Sequence, residues 1–157
     1  MKKIFTLFVL YLGIHQYAIA QCTYGANQYP GGSFTIPGAG SVASNWVFAT
    51  SLSYAGENVV WNVTKGVTYQ WSTCPANGAV CSYDSQLTVF DINGVYVGTG
   101  GYSDDACGTQ STVTWTATFT GQVRVQLNLF NCTTNTTSTT VVARVLTANT
   151  DNVCSGG

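Results

Sequence analysis

Val113-Thr114-Trp115-Thr116-Ala117-Thr118-Phe119-Thr120-Gly121-Gln122-Val123-Arg124-Val125-Gln126-Leu127-Asn128-Leu129 is non-polar at every odd position and polar at every even one. A period of two marks strands with one buried face, and Gly121 is the natural place for the chain to turn. The same alternation recurs upstream in Val59, Trp61 and Val63, then, past Lys65-Gly66, in Val67, Tyr69 and Trp71. It returns in Leu87 and Val89, where Asn93-Gly94 supplies a turn before Val95-Tyr96-Val97. Read locally, these runs predict three hairpins, and a last strand follows from about Thr139 to Leu146. Seven or more antiparallel strands without an amphipathic helix predict an all-β chain, a disulfide-stapled antiparallel β-sandwich of jelly-roll type. Trp61, Trp71 and Trp115 share the inward register and belong to its core.

The 157 residues are 45% hydrophobic and only 7% charged, enough for one domain with a real core. Met1-Lys2-Lys3, an apolar run from Ile4 to Ile14, and Ala18-Ile19-Ala20 predict a signal peptide over residues 1–20 and export from the cell. No later run approaches the ~20 apolar residues of a membrane-spanning helix. Residues 21–56 read as a loosely patterned N-terminal segment with edge strands, 57–147 as the sandwich and 148–157 as a C-terminal tail. Ser155-Gly156-Gly157 reads like the start of a linker.

Cleavage after Ala20 would remove His15, the only histidine, and leave Lys65, Arg124 and Arg144 against six acids, a net charge of −3. Catalysis by Ser-His-Asp or Cys-His and zinc chemistry through imidazole are thereby excluded for the mature chain. So weak a basic content also argues against nucleic acid as a partner. The expectation is a protein that is not an enzyme.

Six cysteines allow fifteen pairings. Strand direction places Cys74, Cys81, Cys107 and Cys132 at one end of the sandwich, here called the upper end, and Cys154 at the lower end. By elimination Cys22 pairs with Cys154, and two further disulfides form among the other four in any of three ways.

Val67-Thr68-Tyr69-Gln70-Trp71-Ser72-Thr73-Cys74, then Asp84-Ser85-Gln86-Leu87-Thr88-Val89-Phe90-Asp91 with Asn93-Gly94, then Ser103-Asp104-Asp105-Ala106-Cys107-Gly108, and last Trp115 to Val125 around Gly121, form an ordered set. This set resembles the bacterial pre-peptidase C-terminal (PPC-like) β-sandwich domains over about residues 57–147. The resemblance implies a non-catalytic accessory module of secreted proteins that binds calcium or an insoluble polymer. Cys81-Ser82-Tyr83-Asp84 and Cys107-Gly108 more weakly resemble CUB domains, which would imply a Cys81–Cys107 pair.

Asp84, Asp104 and Asp105 fall at the upper end among the cysteines, and three carboxylates in pinned loops are the hard oxygen donors that calcium prefers. They are the candidate metal site, with calcium the cofactor. Asp91 lies at the other end and stays out of it. No residue is assigned a catalytic role. Trp46, Tyr83, Phe90, Tyr96, Tyr102 and Phe130, on loops or outward registers, are the candidate contact surface. The expected function is adhesion or extracellular surface assembly, with an extracellular polymer, a surface protein or a second copy as partner. The alternative is a carbohydrate- or insoluble-polymer-binding module accessory to secreted hydrolases.

Overall fold

A computed structural model describes residues 21–37 and 44–147. The expected leader, the C-terminal tail and Cys154 lie outside the described residues. Among the described residues nine strands run in chain order: β1 (Phe34–Thr35), β2 (Val47–Ser53), β3 (Asn58–Val63), β4 (Thr68–Ser72), β5 (Ser85–Asp91), β6 (Tyr102–Ser103), β7 (Thr112–Thr116), β8 (Gly121–Leu129) and β9 (Thr139–Thr147). One turn of 3₁₀-helix, Pro75–Asn77, follows β4.

The strands form a five-stranded sheet in the order β1-β3-β8-β5-β6 and a four-stranded sheet in the order β2-β9-β4-β7. Leaving aside β1, a short parallel addition beside β3, all pairings are antiparallel and the two orders are those of a jelly roll. Both sheets turn their odd-numbered residues inward. Val59, Trp61 and Val63 thus meet Tyr69, Trp71, Val113 and Trp115 across one apolar core, together with Leu87, Val89, Val123, Val125 and Leu127. Trp61, Trp71 and Trp115 are buried, as their register requires.

The hairpins predicted from alternation are the main correction. β3 and β4 lie in different sheets, and so do β7 and β8. The links at Thr64–Val67 and Ala117–Thr120 are arches across the sandwich. Period-two patterning states which face of a strand is buried and is silent about which strand lies alongside. A two-residue glycine turn fits an arch as well as a hairpin. The Asp91–Val95 turn does bring the chain back, with Asp91 N donating to Val95 O at 2.7 Å and a single bridge between Phe90 and Tyr96. Beyond it the strand that pairs with β5 is β6.

The outward face of the five-stranded sheet is not a solvent face. Asn58, Gln86, Thr88 and Gln126 point outward there and are fully buried, because residues 22–33 lie across them as a strap running parallel to β3. Gln126 Oε1 accepts from Gly25 N at 2.6 Å, and its Nε2 donates to Thr23 O at 2.9 Å and to Asn128 Oδ1 at 2.7 Å. Asn58 Nδ2 donates to the carbonyls of Gly25 and Asn27. The amides supplement the strap's few backbone bonds to β3, in which Tyr29 N donates to Asn58 O at 3.0 Å and Asn58 N to Asn27 O at 2.8 Å. Replacing Gln126 by alanine strands a part-buried donor and acceptor of the strap and the buried Asn128 Oδ1, at about 2–3 kcal/mol. The expected result is a urea midpoint lowered at unchanged m-value; a midpoint within error of the parent would remove the strap's dependence on this side chain.

The strap also overturns the cysteine assignment. Cys22 enters at the upper end, beside Gln86 and Leu129, and is joined to Cys132 (Cα–Cα 5.2 Å). Elimination puts Cys22 at the lower end because a strand count says nothing of the path of the strap, which instead leads to the upper end. Cys74 pairs with Cys107 (Cα–Cα 6.1 Å), so the CUB-type pair is not formed. Cys81, expected in a disulfide, is a buried free thiol among the described residues, its Sγ 3.3 Å from Tyr83 O. At the open edge of β7, Gly100 presses its backbone against Thr114. At φ +83° it has no room for a side chain, since a Cβ would stand 2.6 Å from Thr114 O. This loop shields the strand edge.

Candidate metal centre and its surroundings

The upper end is organised by a buried set of hydroxyls between the sheets. Thr73 Oγ1 and Ser85 Oγ lie 2.8 Å apart, Ser111 N donates to Thr73 Oγ1 at 3.0 Å, and Ser111 Oγ donates to Ser85 O. These contacts lock the ends of β4, β5 and β7 together. Ser85 N donates to Thr109 O, and Phe130 N donates to Asp84 O. The Cys74–Cys107 disulfide ties the loop carrying Asp104 and Asp105 to the end of β4. Each acidic side chain therefore stands on a loop fixed at both ends.

Asp84, Asp104 and Asp105 converge, with one oxygen of each lying within 4.8 Å of the others. Asp84 and Asp104 are half-buried and Asp105 is exposed. Asp84 Oδ1 and Asp104 Oδ1 are both buried without a hydrogen-bond partner. Burial first, and then the neighbouring charges of Asp105 and Asp84, raise the Asp104 carboxyl above the ordinary carboxylate range. Orphaned carboxylate oxygens held this close are costly unless a cation sits between them, and a donor set of carboxylates alone suits a hard divalent ion. The residues thus fit a calcium ion. Asp91 is at the opposite end, as expected, where its Oδ1 accepts from the backbone N–H of Asn93 and Val95 and closes a turn.

The six candidate contact residues do not form one surface. Tyr83, Tyr102 and Phe130 gather at the upper end. Tyr102 Oη is 3.4 Å from Asp104 Oδ2, and its hydroxyl is pushed up to about 12 by burial and then by the charge of Asp104. Tyr83 packs against the core, and its hydroxyl accepts from Thr139 Oγ1 at 3.0 Å. Burial raises it to about 12 as well. Phe130 is 49% exposed. Trp46 stands apart on the four-stranded sheet, 4.4 Å from the Arg144 guanidinium in a cation–π contact. Tyr96 is exposed near the lower end.

Phe90 contradicts the expectation. It is buried under the strap with Tyr24 edge-on at 5.5 Å, so it offers no contact surface. Sequence reading also missed Gln28, Gln122 and Arg124, which line a groove beneath the strap. The available signal was the unbroken row of amides and arginine at 122, 124, 126 and 128, too rich in long hydrogen-bonding groups for a plain solvent face.

No helix among the described residues is long and apolar enough to cross a membrane. No curated protein and no solved structure matches the chain. Residues 48–151, which take in β3 through β9 and all but the first residue of β2, match the family described as a domain of unknown function, DUF8695. The chain belongs to that DUF8695 family.

Proposed function

We propose that this chain is a secreted, non-enzymatic jelly-roll module of adhesion or extracellular surface assembly, whose contact end is set by a calcium ion held by Asp84, Asp104 and Asp105. The observation that carries the reading is the convergence of these three carboxylates, two with buried orphan oxygens, beside Tyr83, Tyr102 and the exposed Phe130. Calcium would cancel the repulsion among the carboxylates and fix the loop between Tyr102 and Cys107, leaving the aromatic rim as a rigid surface for a partner or a second copy. Two disulfides in so small a body agree with an oxidising, extracellular setting. The PPC-like resemblance, with its calcium- or polymer-binding accessory modules, leans the same way.

Ten millimolar calcium, about thirtyfold above a dissociation constant of roughly 0.3 mM, stabilises a protein by about 2 kcal/mol, or ~5 °C in melting temperature. That rise, abolished in Asp104→Asn, is the expected result of calorimetry in calcium and in chelator. An identical melting temperature in both would sink the metal site. The pH dependence has a definite sign. Without calcium, the Asp104 carboxyl titrates higher in the folded than in the unfolded chain. Stability is therefore greatest below the ordinary carboxylate pKa and falls as pH rises through the raised value. Calcium should stabilise more as pH rises through that window. Light scattering during size-exclusion, with and without calcium, tests assembly on the same samples.

The second reading, a module that binds carbohydrate or another insoluble polymer, draws its support from the polar groove at the opposite end.

A further inference from the structure

Arg124 projects from the outward face of β8 into a groove of about 350 Å³ between the strap and the five-stranded sheet, lined also by Gln28, Ser33, Val60, Ile92 and Gln122. The groove shares Ile92 and Gln122 with a second hollow of about 290 Å³ that continues past Phe119 and Thr120 and is lined also by Asp91, whose Oδ1 is engaged by the backbone N–H of Asn93 and Val95, so the anionic group belongs at the Arg124 end. Three neutral oxygens hold the guanidinium. Nε donates to Ile92 O at 3.3 Å, and Nη1 donates to Gln28 Oε1 at 3.3 Å and to Asn58 Oδ1 at 3.1 Å. The ring of Tyr24 lies 5.7 Å from its centre and fixes its plane. Nη2 and its two N–H donors have no partner among the described residues.

A half-buried cation held in one orientation by neutral groups, with no carboxylate among those contacts, is arranged for an anion from outside. Beside it, Gln122 Nε2 donates to Asn62 Oδ1 at 3.1 Å, and Gln28 Nε2 donates to Gly32 O at 2.6 Å. Both amides are thereby oriented: Gln122 keeps an N–H and its carbonyl oxygen, whereas Gln28 spends its second N–H on Pro30 O at 3.3 Å and can only accept further, through Oε1. Val60, Ile92 and Phe119 add apolar area. One fixed positive charge, oriented amides and small apolar facets along a shallow channel match a sugar that carries a carboxylate. An extended peptide fits worse. It binds by lengthening a sheet edge, whereas the floor here is a sheet face and the neighbouring edge of β3 is already occupied by β1.

We infer that this groove is a binding site for an acidic, uronate-containing saccharide, with Arg124 receiving the carboxylate and Gln28 and Gln122 receiving hydroxyls. The inference deepens the polymer-binding reading and is independent of calcium, because Asp84 and Ile92 flank opposite ends of β5.

The test is titration calorimetry on the full mature chain in EDTA at 0.15 M salt, with a galacturonate tetramer, cellotetraose and tetraglutamate as probes. Galacturonate is expected to bind at least tenfold more tightly than cellotetraose, and tetraglutamate not at all. Arg124→Gln should lose at least tenfold. Because Arg124 also holds the strap, Ser33→Trp, which fills the groove from an exposed position, is the second variant and should abolish binding at an unchanged melting temperature. Equal affinity for cellotetraose, binding of tetraglutamate, no binding of galacturonate at 5 mM, or full affinity retained in Ser33→Trp would each overturn the inference. If cellotetraose binds as well and Ser33→Trp abolishes both, the polymer-binding reading survives while the acidic specificity fails.

Discussion

Replacing Cys22 and Cys132 together by serine should lower stability by about 5 kcal/mol and the melting temperature by roughly 15 °C. The disulfide closes a loop with a sequence separation of 110 residues, and the chain entropy released by opening it grows with the logarithm of loop length. The Cys74–Cys107 loop, with a separation of 33, should be worth about 4 kcal/mol on the same scale. The two bridges also fail differently. Without Cys22–Cys132 the strap is held to the sheet by hydrogen bonds of amides, by the contacts of Arg124 with Gln28 and Tyr24, by two backbone bonds to Asn58 and by the Tyr24–Phe90 contact, and it can detach while the sandwich persists. Limited proteolysis should then cut first within residues 22–33, before global unfolding. A double serine variant melting within about 3 °C of the parent, with the strap uncut, would show that the staple adds little to what the amides already supply.

Trp71→Ala should cost about 3–5 kcal/mol, and Trp71→Phe should fall within about 1 kcal/mol of the parent. Trp71 is fully buried at the middle of the core, stacked on Tyr69 at 5.6 Å and tilted against Trp61 at 6.4 Å. Alanine leaves a cavity that two sheets held in register cannot close. Phenylalanine leaves a smaller one, and it also removes an indole N–H that is buried with no acceptor. That relief offsets part of the lost packing. Denaturant unfolding of both variants checks the pair. A phenylalanine variant as damaged as the alanine one would mean that the N–H has a partner, or that the ring's full width is indispensable.

The inward set was legible in the sequence because burial of one sheet face imposes a period of two. Trp61, Trp71 and Trp115 follow directly from it, and so does a two-layered body. Strand partners were not legible, since the arches at Lys65-Gly66 and Thr120-Gly121 carry the same turn residues as hairpins. The acidic trio could be read because strand direction sends all three aspartates to one end. The orphaning of Asp84 and Asp104 oxygens depends on how the loops pack, which no spacing encodes. Phe90 and Cys22 were misplaced for a single reason. A strap with little alternation of its own writes its position only into the residues it covers, the glutamines and asparagines of β5, β3 and β8.

The place of β9 in the four-stranded sheet bears on how the protein must be made. It lies between β2 and β4, so nearly the whole of the chain's strand sequence has to be available before that layer is continuous. β3 likewise waits for β8. Closure depends on pairings remote along the chain, which places maturation in the millisecond-to-second range and late in synthesis. A polypeptide whose layers cannot lock until β9 arrives stays extended for most of its synthesis, and its finished shape is set at the end.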